Sequence, residues 1–162
     1  MSAVRYIGSF PPPYGGVTAK NSLLFEELAG HLDVALVNLT DVKAGGPLGA
    51  LQLAAELPPS DSLAIFGLSD TWRKRVTQLV SLVNRRLASR SFVLVMGGSD
   101  PCPSDAATLN AFRRVYVETF GMKMAYGAAG VKRAFVYPNC RRRPAAAPEM
   151  GGGRLIELCV LL

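Results

Sequence analysis

The chain has 162 residues, 49% of them hydrophobic and 19% charged, which is enough for one ordinary globular core. Its formal net charge of +6 is compatible with three kinds of partner: a nucleic acid, an anionic membrane surface or a phosphorylated substrate. The charge alone does not distinguish among them. Three cysteines, odd in number and in no Cys-x-x-Cys pair, argue against both a disulfide framework and a zinc site.

Short apolar runs alternate with longer amphipathic ones along the whole chain. In chain order we predict a strand at 4–9, a helix at 17–29, a strand at 34–39, a helix at 50–57, a strand at 63–68, a helix at 71–88, a strand at 92–96, a helix at 106–114, a strand at 115–118, a helix at 122–129 and a strand at 134–137. This rhythm predicts an α/β fold, a single Rossmann-like domain with a doubly wound parallel sheet.

The composition changes after the last of these strands. Residues 1–140 make up the predicted domain, and residues 141–153, rich in Arg, Pro, Ala and Gly, have the composition of a linker. Residues 154–162 are almost entirely apolar and strand-like. We expect them to begin a second domain that is cut off soon after it starts, or to be covered by a second chain.

Two glycine pairs stand where predicted strands end. Gly15 and Gly16, followed by Val17, precede the first helix, and Gly97 and Gly98 follow the fourth strand. In doubly wound sheets the ligand crevice lies where the strand order reverses, commonly between the first and fourth strands, so we expect the pairs to meet there. Glycine lets the main chain approach a ligand, and the amides that begin a helix attract a diphosphate. The alternative is that both pairs are ordinary connecting loops.

Ser99 and Asp100 complete the segment after the fourth strand, where they could hydrogen-bond an acceptor hydroxyl. Asp100 precedes Pro101, however, and Asp-Pro also starts plain turns. The sequence has no G-x-x-x-x-G-K-[ST], and no G-x-G-x-x-G follows the first strand. The P-loop and dinucleotide alternatives therefore lose their main support.

Residues 5–36 resemble the opening of the GT-B glycosyltransferases of the large retaining group often called family four. In that family the first strand is followed by a proline- and glycine-bearing loop that ends in Gly-Gly-Val, which Gly15, Gly16 and Val17 match. Residues 30–34 are similar to the family's turn into its second strand.

A further match lies at residues 136–139, which resemble the Pro-Asn segment before the family crosses into its second domain. Cys140 stands where the family usually has glycine. The family also often places a histidine after its fourth strand, and residues 96–99 contain none. Together the matches run from residue 5 to about residue 143.

The resemblance implies an acceptor-side domain that faces a nucleotide-sugar donor held mainly by a second domain. It implies that the amides of Gly15 and Gly16 approach the donor diphosphate, and that Asn139 belongs to the same substrate-binding edge. No separate cofactor is implied, because the nucleotide-sugar is itself the donor substrate. No catalytic residue can be assigned, since the donor-binding half is missing, and we expect the chain alone to transfer no sugar.

Basic residues cluster at 73–75, 85–86, 113–114 and 141–143, and we interpret most of them as solvated faces or linker. The alternative is contact with anionic lipid or with a phosphorylated, lipid-linked acceptor. A nucleic-acid partner is disfavoured because stacking aromatics are not interleaved with these residues. No secretory signal or apolar stretch of about 20 residues is present, so we expect a cytoplasmic protein with peripheral membrane contact at most.

Two functions from different classes follow. The first is the acceptor-side domain of a glycosyltransferase that moves a hexosyl group to a polysaccharide or lipid-linked acceptor. The second is a non-catalytic α/β module that binds a nucleotide or a partner protein.

Overall fold

The computed structural model describes residues 4–44, 48–97, 101 and 105–137. Its strands are β1 (Val4–Gly8), β2 (Val34–Asn38), β3 (Leu63–Leu68), β4 (Phe92–Val95), β5 (Arg114–Val117) and β6 (Ala134–Val136). Its helices are α1 (Gly16–Ala29), α2 (Leu39–Ala44), α3 (Gly49–Glu56), α4 (Asp70–Val83), α5 (Arg85–Arg90), α6 (Asp105–Leu109) and α7 (Phe120–Ala128). All six strands are parallel, so the predicted α/β class with a single Rossmann-like domain is confirmed.

The strand order is β2-β1-β3-β4-β5-β6. The chain moves one way from β1 to β2 and then crosses to the other side of β1, so the order reverses between β1 and β3. We expected the reversal between the first and fourth strands, and that prediction is wrong because β3 separates β1 from β4. Neighbouring strands lie about 4.8 Å apart, which puts the ends of β1 and β4 roughly 10 Å from each other.

The two faces of the sheet are covered unequally by the described helices. On one face, here called the core face, apolar side chains of the strands join a buried cluster with residues of α2 to α7; the strand members include Ile7, Phe66, Val93 and Val115. On the opposite face, here called the α1 face, the Tyr6 ring packs edge-on against Phe25 of α1. No residue of α1 belongs to the core cluster.

Three helices differ from their sequence-based predictions. The helix predicted at 106–114 ends at Leu109, because the chain turns there and Arg114 already belongs to β5. Residues 71–88 were expected to form one helix, but α4 ends at Val83, because the backbone of Asn84 leaves the helical region with φ −145° and ψ 74°. The Asn84 side chain accepts a hydrogen bond from the Leu87 amide and so caps a new helix, α5. Helix α2 was not predicted at all, because it follows β2 without an intervening loop signal.

A buried ion pair joins α4 to α6. Arg73 is 1% exposed, and its Nη2 donates to Asp105 Oδ2 at 2.7 Å. Its Nη1 also donates to the hydroxyl of Tyr126 in α7, and the guanidinium lies 5.3 Å from the centre of that ring. The interpretation of residues 73–75 as a solvated basic face is therefore wrong for Arg73, because its charge is compensated inside the core.

Several predictions concern residues outside the described part of the chain. They include the linker at 141–153, the apolar run at 154–162 and four of the predicted site residues, Gly98, Ser99, Asp100 and Asn139. Within the described ranges, no helix is both long and apolar enough to cross a membrane.

Candidate functional site

The first turn of α1 places Gly15, Gly16 and Val17 just beyond the carboxyl end of β1. Gly15 is the N-cap, with extended backbone at φ −161° and ψ 170°, and it has no side chain that could accept from the first amides of the helix. The Ala19 amide donates to the Gly15 carbonyl at 2.9 Å. The amides of the residues between them precede the helix's own hydrogen-bond ladder and carry the positive end of its dipole.

Thr18 fixes the shape of this turn from within. Its Oγ1 accepts a hydrogen bond from the Gly15 amide at 2.8 Å and lies 3.0 Å from the carbonyl oxygens of Pro13 and Gly15. The loop is therefore tied to the helix by its own residues, while the Tyr14 side chain extends into solvent. Such a turn presents main-chain N–H groups without needing a ligand to order it.

Asn21 ties together the carboxyl ends of β1 and β3, where the strand order reverses. It is fully buried, and its Nδ2 donates to the carbonyls of Ser9 at 2.9 Å and Gly67 at 3.3 Å. Its Oδ1 accepts from the Tyr6 hydroxyl at 2.8 Å. Because the alternation of apolar residues does not single out a buried polar side chain, the sequence analysis missed Asn21.

Lys43 brings a cation to the same edge of the sheet. Its Nζ donates to Ser9 Oγ at 2.8 Å and lies 5.1 Å from the ring centre of Trp72, in the first turn of α4. Partial burial lowers the pKa of Lys43, because desolvation disfavours its charged form. The sequence analysis missed Lys43 because its position depends on the unpredicted helix α2.

Three hydrogen bonds hold α2 and the proline-rich loop in place. Asn38 Oδ1 accepts hydrogen bonds from the amides of Phe10 at 3.1 Å and Thr40 at 3.0 Å. Thr40 Oγ1 then donates to the Phe10 carbonyl at 3.1 Å. These hydrogen bonds fix the loop after β1 against the end of β2 and the start of α2. Lys43 of α2 therefore lies beside Ser9 of that loop.

The second predicted glycine pair is only partly described. Gly97 follows β4 with φ +84°, a left-handed conformation that L side chains rarely adopt. A β-carbon there would meet no atom within 4 Å, so the backbone conformation and not space requires glycine. Gly98, Ser99, Asp100 and Asn139 were also predicted to line the site and lie outside the described residues.

A second charged pair reaches across the carboxyl edge. Lys20 of α1 and Glu118, which follows β5, form a salt bridge of 2.5 Å between Nζ and Oε1. It joins α1, which packs on β1 and β2, to the residue that follows β5, and so crosses the ends of β3 and β4. The two charges of this pair offset each other. We therefore assign Lys43, whose Nζ contacts Ser9 just after β1, as the cation of the candidate site.

The arrangement suits binding of an anion better than acid–base or metal chemistry. It combines main-chain amides, a helix dipole and one cation beside an aromatic ring. In the described ranges, no group of three or more His, Cys, Asp or Glu side chains could hold a metal ion. A groove of about 410 Å³ between α7 and β6, lined by residues such as Met124 and Val131, includes none of these anion-binding groups.

Comparisons of the chain with protein-family models, with curated proteins and with solved structures found no match.

Proposed function

We propose that this chain is the acceptor-side domain of a nucleotide-sugar-dependent glycosyltransferase of the retaining GT-B type. It helps to transfer a hexosyl group to a polysaccharide or lipid-linked acceptor. It acts in the cytoplasm, at the inner face of the membrane when the acceptor is a lipid. The observation that supports this most is the position of Gly15, Gly16 and Val17, which begin α1 where the strand order reverses.

In this proposal the domain supplies one wall of the binding cleft. The amides of the first turn of α1 hydrogen-bond the donor diphosphate, and Lys43 offsets its negative charge. The nucleotide and sugar are held mainly by a second domain, whose residues also perform the transfer. The chain alone is therefore expected to bind a nucleoside diphosphate weakly and to transfer no sugar.

A matched pair of substitutions at Gly16 tests the diphosphate contact. Gly16→Pro removes the amide hydrogen, while Gly16→Ala keeps it. Proline is tolerated at the first position of a helix, and the extended Gly15 before it suits a following proline. A β-carbon at position 16 meets nothing within 4 Å, so both variants should fold.

We expect Gly16→Pro to weaken binding of a nucleoside diphosphate about tenfold, the scale of one hydrogen bond to a charged group. Gly16→Ala should bind like the parent chain. Isothermal titration calorimetry measures the affinities, and thermal unfolding checks that both variants are folded. Equal affinities of the two variants, or no measurable binding by the parent chain, would contradict the proposed contact.

The alternative function is a non-catalytic module that binds a nucleotide or a protein. It predicts a different ratio of affinities for a nucleoside diphosphate and for inorganic pyrophosphate. A nucleotide-binding module would hold the base and ribose as well as the phosphates, so a nucleoside diphosphate would bind far more tightly than inorganic pyrophosphate. In the proposed acceptor-side domain, the two ligands bind with similar affinity because the phosphates make most of the contacts.

A further inference from the structure

Lys43 is a partly desolvated cation without an acidic partner among the described residues. Its Nζ donates to Ser9 Oγ at 2.8 Å, and no carboxylate of the described chain lies within ion-pair distance of it. Burial of part of the side chain lowers the pKa of Lys43, because the charged form loses hydration. A cation in this situation is stabilised by an anionic ligand.

Lys43 and Ser9, here called the Ser9–Lys43 pair, have hydrogen-bond donors to spare. An ammonium has three N–H groups, and one of those of Lys43 is used for Ser9. The Ser9 hydroxyl accepts that bond, and among the described residues its own proton has no acceptor. Because Nζ and Oγ lie 2.8 Å apart, both can donate to the oxygens of one phosphate group.

The pair is held in place by contacts with two further elements. The Ser9 carbonyl accepts a hydrogen bond from Nδ2 of the buried Asn21 at 2.9 Å, which ties Ser9 to α1. The Lys43 ammonium lies 5.1 Å from the ring centre of Trp72, a cation–π contact with the first turn of α4. A phosphate group therefore meets donors that are already positioned, which lowers the entropic cost of binding.

We infer that Lys43 and Ser9 together bind one phosphate group of the donor diphosphate. The identity of this ligand rests on the proposed function, whereas the contact rests on the two side chains. Asn21, which fixes Ser9, follows Gly16 by about 7.5 Å along the axis of α1. One phosphate can thus lie at the first turn of α1 and the other at the Ser9–Lys43 pair.

This contact makes the affinity depend on pH. Only the charged form of Lys43 attracts the phosphate, and its lowered pKa means that this form is lost below the ordinary lysine value of 10.5. Affinity should therefore fall as the pH rises. The elements around Lys43 also carry guanidinium and carboxylate groups that keep their charge at alkaline pH: Arg5 on β1, Asp41 on α2, Glu56 on α3 and Arg75 on α4.

Variants of both residues test the contact, with adenosine diphosphate as the probe. We expect Lys43→Met to weaken its binding about tenfold and Ser9→Ala about threefold, the scales of a charged and a neutral hydrogen bond. Ser9→Thr keeps the hydroxyl and should bind like the parent chain. Isothermal titration calorimetry measures the affinities, and circular dichroism melting checks that each variant is folded.

Two matched controls carry the same chemical changes elsewhere. Lys132→Met changes an exposed lysine between α7 and β6, and Ser81→Ala removes a hydroxyl that donates to the Gln78 carbonyl within α4. Both should bind adenosine diphosphate like the parent chain. Losses in the controls equal to those of Lys43→Met and Ser9→Ala would overturn the assignment.

A pH series separates a binding role of Lys43 from a structural one. From about pH 7.5 toward 10.5, the affinity of the parent chain should fall to that of Lys43→Met. Lys43→Arg should hold its affinity nearly constant, because a guanidinium stays charged over this range. Parallel pH profiles of the parent chain and Lys43→Arg would overturn the assignment.

The outcomes also separate this contact from the one at α1. Parent-like binding by folded Lys43→Met and Ser9→Ala overturns the contact at the pair and leaves the α1 contact standing. Weakened binding by both, together with equal affinities of Gly16→Pro and Gly16→Ala, supports the pair and contradicts the α1 contact. No binding of adenosine diphosphate by the parent chain overturns both.

Discussion

Replacing Arg73 with methionine should lower the free energy of unfolding by about 3–5 kcal/mol, the cost of breaking one side of a buried ion pair. The substitution leaves the Asp105 carboxylate buried without the guanidinium that lies 2.7 Å from it. It also removes the hydrogen bond to Tyr126 and the contact with that ring. Urea unfolding followed by circular dichroism measures the loss.

Arg86→Met is the matched control, because it makes the same chemical change at an exposed position of the neighbouring helix α5. We expect it to change the free energy of unfolding by less than about 0.5 kcal/mol. The double variant Arg73→Met/Asp105→Asn should recover part of the loss, since it also removes the buried negative charge that faced the guanidinium. Equal effects of Arg73→Met and Arg86→Met would show that the buried pair does not hold α4 to α6.

Gly67→Ala should destabilise the protein by about 2–3 kcal/mol, because it overpacks a site that has no room for a methyl group. A β-carbon at position 67 would lie 2.0 Å from Asn21 Oδ1 and 2.8 Å from the Tyr6 hydroxyl oxygen. Asn21 would have to give up its hydrogen bonds to both strand ends, which are fully buried. Chemical unfolding of the variant measures the cost.

Gly127→Ala provides the control, since a β-carbon there meets nothing within 4 Å in the last turn of α7. We expect it to be neutral or to stabilise the protein by about 0.5–1 kcal/mol, because alanine favours a helix more than glycine does. Asn21→Ala removes the atom that clashes, so Asn21→Ala/Gly67→Ala should lose less stability than the two single variants added together. Simple additivity would mean that Gly67 and Asn21 are not coupled.

Hydrophobic periodicity predicted the strands well for a physical reason. In strands such as 63–68 and 92–96 one set of side chains is fully buried in the core and the alternate set is at least partly buried, so almost every residue is apolar and the run is easy to recognise. The same patterns predicted the class of fold. These patterns did not predict the order of the strands in the sheet. That order depends on contacts between residues that are distant in sequence.

Polar residues inside the core were the main source of error. Arg73 belongs to a run of three basic residues, a pattern typical of a solvent-exposed face. Its burial is explained by its pairing with Asp105, which is 32 positions away in the sequence. One sequence signal could have pointed to a buried group such as the Asn21 side chain. A glycine near the carboxyl end of a strand often marks a place where another group approaches the backbone closely. Gly67 is that residue in β3.

The candidate site was predicted in part. The sequence placed Gly15, Gly16 and Val17 at a helix start, and the structure confirms that position. Lys43 was missed because a short helix that directly follows a strand has no distinctive composition. The role of these residues in binding a donor diphosphate stays a prediction.

NMR titration of the ¹⁵N-labelled chain with a nucleoside diphosphate tests the proposed site most directly. We expect the largest amide shift changes at Gly15, Gly16 and Val17, with smaller ones at Lys43 and Gly97. The amides of α7, such as that of Met124, should remain unchanged. Largest changes in α7 or along the groove between α7 and β6, or no changes at all, would contradict a diphosphate site at the start of α1.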